Sequence, residues 1–225
     1  MTEARRPFIP VEDPRPNDRP WGTMTWPPRV MHLSGDVVEL DVCLPERDAE
    51  PLFHALNDDA VWRHITGRPN GPAAYAQMLE ARQREGRIIW VVRLGRAYAG
   101  LDARAVVGAS SYLDASPVDA RLEIGATAYS RAVWGTKVNA DAKLLLLSHA
   151  FDELGAGRVQ FKTDVRNARS QRAIAKLGAQ YEGTLRRSMR RDDGTVRDSV
   201  FFSIIAEEWP GVRAALIARL AAPEP

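Results

Sequence analysis

The stretch LEIGATAYSRAVWGTKVNADAKLLLLSHAFDELGAGRVQFKTDVRNARSQRAIAKLG, Leu122 to Gly178, decides the reading of this chain. An apolar strand runs into a short Arg/Trp/Gly loop, a leucine-rich helix follows, then a second strand, and Asn-Ala-Arg-Ser opens another helix that stops at Lys-Leu-Gly. A strand leading through a glycine-containing loop into a helix start leaves backbone N–H groups unpaired at the positive end of the helix dipole. Such a turn is suited to a phosphate or pyrophosphate. Within the first helix, Ala140, Leu144, Leu147, Phe151 and Leu154 recur at steps of four and three, so they are expected to form one core-facing stripe ended by Gly155 and Gly157.

Several pieces keep a common order along the chain: Trp134-Gly135-Thr136, Asn139, Lys143, Arg166-Asn167-Ala168-Arg169-Ser170, Lys176-Leu177-Gly178 and Glu182-Gly183-Thr184-Leu185-Arg186. In that order, from about Val37 to Trp209, the chain resembles the GNAT superfamily of N-acetyltransferases, in the branch of the RimJ/RimL-like ribosomal-protein N-terminal acetyltransferases. The resemblance implies the GNAT acyl-CoA N-acyltransferase fold, an α+β (mixed α/β) layout with one twisted central sheet covered by helices. It also implies acetyl-CoA as co-substrate, no metal, a primary amine as acceptor and a possible homodimer.

The remaining pattern agrees with that layout. Val37 to Leu44 reads as a first strand, Pro45-Glu46-Arg47-Asp48 opens a helix through Leu56, and a second helix spans Ala73 to Arg84. Ile88 to Leu94 and Ala105 to Leu113 read as a hairpin joined through Gly95 to Asp102; Asp192-Asp193-Gly194-Thr195 is a turn, and Arg197 to Ser203 a strand. Residues 1–34 hold seven of the fifteen prolines, so they are read as an extended arm. Phe8, Trp21, Trp26 and Met31 would lay it on the domain or on a second subunit, and a disordered tail is the other reading. The acetyltransferase domain is then placed at 35–220, with a tail at 221–225.

Composition narrows the function classes. A net charge of +2 with 27% charged residues gives no footprint for nucleic acid. No apolar run approaches the roughly 20 residues of a membrane span. The first residues lack the apolar centre of a signal peptide, and the single Cys43 sits in an apolar strand, so a cytoplasmic protein without disulfides is expected. The four histidines show no metal-ligand spacing.

Site residues follow from the resemblance. The family's loop is written Gln/Arg-x-x-Gly-x-Gly/Ala; here Trp134, Gly135, Thr136, Lys137, Val138 and Asn139 occupy it, with Lys137 and Asn139 in place of small residues. Another register takes Arg131 as the basic residue. Ala126, Thr127 and Ala128 fall beside the acetyl group. Asn167 and Ser170 approach the pantetheine and phosphates, Asn167 being equally readable as a helix cap. Arg172 and Lys176 join Arg169 in a basic stripe that is either a solvated face or a phosphate contact. Glu123 is the candidate base, or else a strand-edge surface carboxylate. Many members place a tyrosine seven residues after the motif asparagine to protonate the thiolate; Ile174 stands there, leaving Ser170, Tyr129 or water. Trp62, His64 and Asp198 are candidates for the acceptor channel, with simple packing as the other reading of the first two. A CoA-binding module with weak or lost catalysis is the alternative to an active enzyme.

Overall fold

The computed structural model describes residues 9–12 and 22–223. Most of the proline arm, including Phe8 and Trp21, and the last two residues of the tail lie outside the described residues. Along the chain come β1 (His32–Ser34), β2 (Val38–Val42), α1 (Pro45–Leu56), α2 (Asp59–Trp62), α3 (Pro72–Arg84), β3 (Ile88–Leu94), β4 (Val106–Ser116) and β5 (Arg121–Tyr129). After them follow α4 (Val138–Ser148), β6 (Arg158–Asp164), α5 (Ala168–Ala175), β7 (Gln180–Arg190), β8 (Val196–Ile205) and α6 (Trp209–Ala221). The strands make one sheet in the order β1-β2-β3-β4-β5-β6-β8-β7.

Neighbouring strands are antiparallel except β5 and β6, which run parallel. Two parallel neighbours cannot be joined by a tight turn, and α4 provides the crossover between them. This one parallel pair in an otherwise antiparallel sheet is where the chain can part. The alternation of strand side chains gives each face its own core. From β3, Trp90, Val92 and Leu94 enter the core shared with Leu146 and Leu147 of α4 and Trp209, Val212 and Leu216 of α6. Ile89 and Val91 enter the other, with Leu52 and Leu56 of α1 and Tyr75 and Leu79 of α3.

The described end of the arm is part of this body. Met24 is buried and its N–H donates to the Pro117 carbonyl at 2.9 Å, Trp26 packs against Tyr112, and His32–Ser34 add an edge strand to β2. Helix α4 departs from its expected stripe. Leu147, Phe151 and Leu154 are buried with Ala140, yet Leu144 is only partly covered, while Ala142, Leu146 and Ala150 are enclosed. The helix passes into a π turn over His149–Glu153, which widens the turn and rotates the buried face. The sheet and α6 also cover it from two directions, so one stripe cannot describe it. Its first turn is fixed by Asp141, 2% exposed, whose Oδ2 accepts from the N–H groups of Val37 at 2.6 Å and Val38 at 2.9 Å.

Candidate active site

Strands β5 and β6 pair only from Arg121–Glu123 to Arg158–Gln160 and then separate, although both continue. Beyond Glu123 one edge of β5 therefore faces a wedge-shaped cleft with its peptide groups unpaired by β6. On its other edge β5 carries a bulge. Ala109 faces Ala128 and Ser111 faces Gly125, so three steps of β5 oppose two of β4, and Ala126 takes up the extra residue at φ 48°. The bulge reorients the backbone over the stretch Ala126, Thr127 and Ala128.

A buried lysine ties this bulge to α4. Lys143 Nζ donates to Ser110 Oγ and to Thr127 Oγ1, each at 2.8 Å, and the two hydroxyls lie 2.8 Å apart. The side chain is 4% exposed, and burial pushes its pKa from 10.5 down to about 7. In the sequence Lys143 is legible only as one residue of a motif. Its position inside the run Ala142 to Leu147, with no solvated face, is the available signal.

Below the cleft the loop makes a 3-10 turn at Arg131–Val133, and Gly135 takes φ 82°, a value that a side chain would strain. The N–H groups of Gly135, Asn139 and Ala140 have no hydrogen-bond partner among the described residues. They sit at the start of α4, where the helix dipole favours an anion. The charge expected from Lys137 is directed elsewhere: its Nζ donates to the Leu220 carbonyl at 2.6 Å, near the end of α6, where unpaired carbonyls attract a cation. Arg131 is exposed and 3.4 Å from Asp58 of the α2 cap, a weak pair that leaves it exchangeable. Trp134 donates from its indole N–H to the Tyr129 carbonyl at 2.8 Å. Thr136 Oγ1 donates to the Val133 carbonyl and accepts from the Val138 N–H, so it braces the loop.

At α5, Asn167 Oδ1 accepts from the Ser170 N–H at 3.0 Å, the capping arrangement. The Ser170 hydroxyl has no partner among the described residues. Arg169 leaves the supposed stripe and stacks on Trp134, 3.4 Å from the ring centroid, joining α5 to the loop across the cleft. Arg172 and Lys176 remain on the solvated face. Ile174 is buried in the core.

Two catalytic candidates take unexpected places. Glu123 is no edge carboxylate: it is 2% exposed where β5 and β6 still pair, with Lys162 Nζ at 3.0 Å and Gln160 Nε2 at 3.1 Å. Burial raises its pKa, and Lys162 opposes that rise. The absent side chain of Gly125 leaves room for it, because a Cβ there would stand 2.5 Å from Glu123 Oε1. The Tyr129 hydroxyl is buried without a partner among the described residues, and burial holds it protonated.

Beyond the end of β6 lies a polar cavity of about 180 Å³, lined by Trp62 to Thr66, Asp164, Arg191 to Asp193 and Arg197. The tip of the β7–β8 hairpin is held over it by Asp192, which accepts from the Gly67 N–H at 2.8 Å. Asp164, 2% exposed, accepts from Arg191 Nε at 2.6 Å and Nη2 at 2.8 Å and from the Arg166 N–H at 2.8 Å. Trp62 donates its indole N–H to Leu56 and packs edge-on to Tyr75. Burial lowers the His64 pKa, with Arg63, Arg169 and Arg191 adding to the effect and Asp164 opposing it, so the imidazole is neutral at physiological pH.

Asp198 does not line the cavity. Its Oδ1 accepts from the N–H of Arg187, which sits at φ 52° in a bulge of β7, while Arg197 turns inward. Strand alternation explains the exchange: Val200, Phe202 and Ile204 face the α4/α6 core, and Asp198 keeps their phase. Asp164, Arg191 and Arg197 escape sequence reasoning because they come together only through the pairing of β6, β8 and β7.

The sequence profile described as "Acetyltransferase (GNAT) domain" matches residues 43–180. Among solved structures, a candidate acetyltransferase from T. thermophilus is 40% identical at TM-score 0.76, the match covering 87% of this chain and 100% of that one. A GCN5-related N-acetyltransferase from Brucella melitensis is 25% identical at TM-score 0.80, covering 91% and 90%. Mycobacterium smegmatis RimJ, solved with CoA-disulfide, shares the fold at 22% identity and TM-score 0.69, covering 86% and 95%. No curated protein matches the chain. With the parted parallel strands, the bulged β5 and a family profile spanning more than half its length, the chain belongs to the GNAT acetyltransferases.

Proposed function

We propose that the protein transfers acetyl from acetyl-CoA directly to a primary amine in the cleft between β5 and β6. One observation carries the proposal: the wedge between the strands, with its Ala126 bulge, opens beside the unpaired N–H groups of Gly135, Asn139 and Ala140. Those amides suit the pyrophosphate, and the free edge of β5 at residues 126–128 suits the thioester carbonyl and the oxyanion formed from it. Arg131 is a cation able to exchange its surface partner for a phosphate. The RimJ relative with CoA-disulfide supports CoA as the ligand class.

The acceptor amine approaches from the His64 and Asp164 cavity and must be neutral to attack. Its nitrogen bonds to the carbonyl carbon, the carbon–sulfur bond breaks, and the proton lost by the amine ends on the departing thiolate. Neutral His64 is placed to take that proton first. No acyl-cysteine is invoked: Cys43 is 1% exposed, and burial pushes its thiol up to about 12. The acceptor is a protein N-terminus, as in the RimJ/RimL-like branch, or a small-molecule amine.

A second reading, a CoA-binding module without efficient turnover, is favoured by the core position of Ile174 and the buried hydroxyl of Tyr129. Release of free CoA thiol, followed across amines and peptides, separates the two. Acceptor-dependent thiol release is expected. Tight acetyl-CoA binding by calorimetry with no turnover on any acceptor selects the module, and no acetyl-CoA binding overturns both.

A further inference from the structure

The side chains around the 180 Å³ cavity are unevenly matched in charge. Each of its carboxylates is already engaged: Asp164 by Arg191 and the Arg166 N–H, Asp192 by the Gly67 N–H, and Asp193 by the N–H and hydroxyl of Thr195. Arg191 is committed to Asp164. Of the other two arginines on the lining, Arg63 is exposed to solvent and Arg197 is part-buried. Arg197 Nε donates to Ser199 Oγ at 3.0 Å, and its two terminal nitrogens have no partner and no ion pair among the described residues. The side chain lines the cavity beside Asp164 and Arg191. A partly desolvated guanidinium with a free planar fork is matched by one ligand group above others, a carboxylate held in bidentate fashion.

We propose that the acceptor is a small amine that also carries a carboxylate, and that Arg197 receives this carboxylate while the amine points into the cleft. The inference rests on the cavity being the acceptor site. At about 180 Å³ the space falls below the roughly 300–1,000 Å³ of drug-sized pockets, so it suits an amino-acid-sized molecule. The hairpin tip closing on Gly67 narrows the outer side. Burial disfavours the charged form of Arg197, which is the condition a bound anion relieves.

The test compares free amino acids with their C-terminal amides as acceptors, beside peptides that differ only in an acidic or amide second residue, using wild type, Arg197→Met and Arg197→Lys. Free amino acids are expected to exceed their amides in kcat/KM by about 10- to 100-fold. Arg197→Met should erase that preference through acceptor KM, Arg197→Lys should restore part of it, and the acetyl-CoA KM should not move. Equal use of acid and amide overturns the inference while leaving the acetyltransferase reading intact. So does preference for peptides alone, acidic or not, and so does a rise in acetyl-CoA KM, which would assign Arg197 to the phosphates of CoA. If nothing is acetylated, calorimetry of the free amino acids and amides against the three proteins still decides. Arg197-dependent binding of the acids supports the subsite, and absence of binding removes it. Thermal unfolding of the variants checks that each is folded.

Discussion

The two sides of the cleft are built from different materials. The side proposed for acetyl-CoA is mostly backbone: unpaired N–H groups at Gly135, Asn139 and Ala140, a free strand edge and a bulge at Ala126, all within one continuous stretch. The side proposed for the acceptor is mostly side chains, His64, Asp164, Arg191 and Arg197, brought from the α2–α3 loop, the end of β6 and the β7–β8 hairpin. A backbone site tolerates changes of side chain, so Lys137 and Asn139 can replace small residues without removing the amides. A side-chain site has no such tolerance, and its composition sets what it accepts.

That contrast can be broken by exchange of roles. Ala126→Pro forbids the positive φ and deletes an N–H, so kcat is expected to fall by about 100-fold, with acetyl-CoA turnover as the readout. An unchanged kcat would remove the bulge from the mechanism. On the acceptor side, Asp164→Ala leaves Arg191 without its carboxylate and should cost about 3 kcal/mol in urea unfolding, with a higher acceptor KM. A loss under about 1 kcal/mol would show that this pair does not hold the cavity together.

Lys143 joins β4 and β5 to α4 and gives a pH test. Unfolded, it keeps its proton up to about 10.5; folded, only up to about 7. Between those values the unfolded chain binds more protons, so this group makes the fold more stable as pH rises from about 7 to 10.5, and its effect is flat below 7. Lys143→Met should therefore stabilise the protein by about 1–3 kcal/mol at pH 7 and flatten the alkaline slope, since Ser110 and Thr127 still bond to each other. Denaturant midpoints on either side of neutrality and well above it read this directly. The smallest effects are expected for Asn139→Ala and Lys176→Ala, each under about 3-fold in acetyl-CoA KM. A rise of about 10-fold would make the donor side a side-chain site after all.

The legible parts of the sequence are those fixed by local spacing. Pro45 to Leu56, Ile88 to Leu94, Arg158 to Asp164 and the cap at Asn167 need only periodicity and end signals, and the structure has them. The reading of Glu123 as a strand-edge carboxylate fails because strand position alone does not tell an edge from a buried pair; its Lys162 partner arrives with β6. Leu144 is misread because the sheet and α6 cover α4 from two directions, which a single stripe of spacing does not record. Asp198 and Arg197 differ by one residue, and only the register of β8 chooses which of them faces the cavity.

By itself the sequence determined the strand, loop and helix start of the half proposed for acetyl-CoA, because elements adjacent in the chain present their backbone amides together. The tertiary structure alone decided the acceptor half. Asp164 lies 27 residues from Arg191 and Gly67 lies 125 from Asp192, and side chains so far apart meet only where the sheet order β6-β8-β7 and the docking of the hairpin tip bring them.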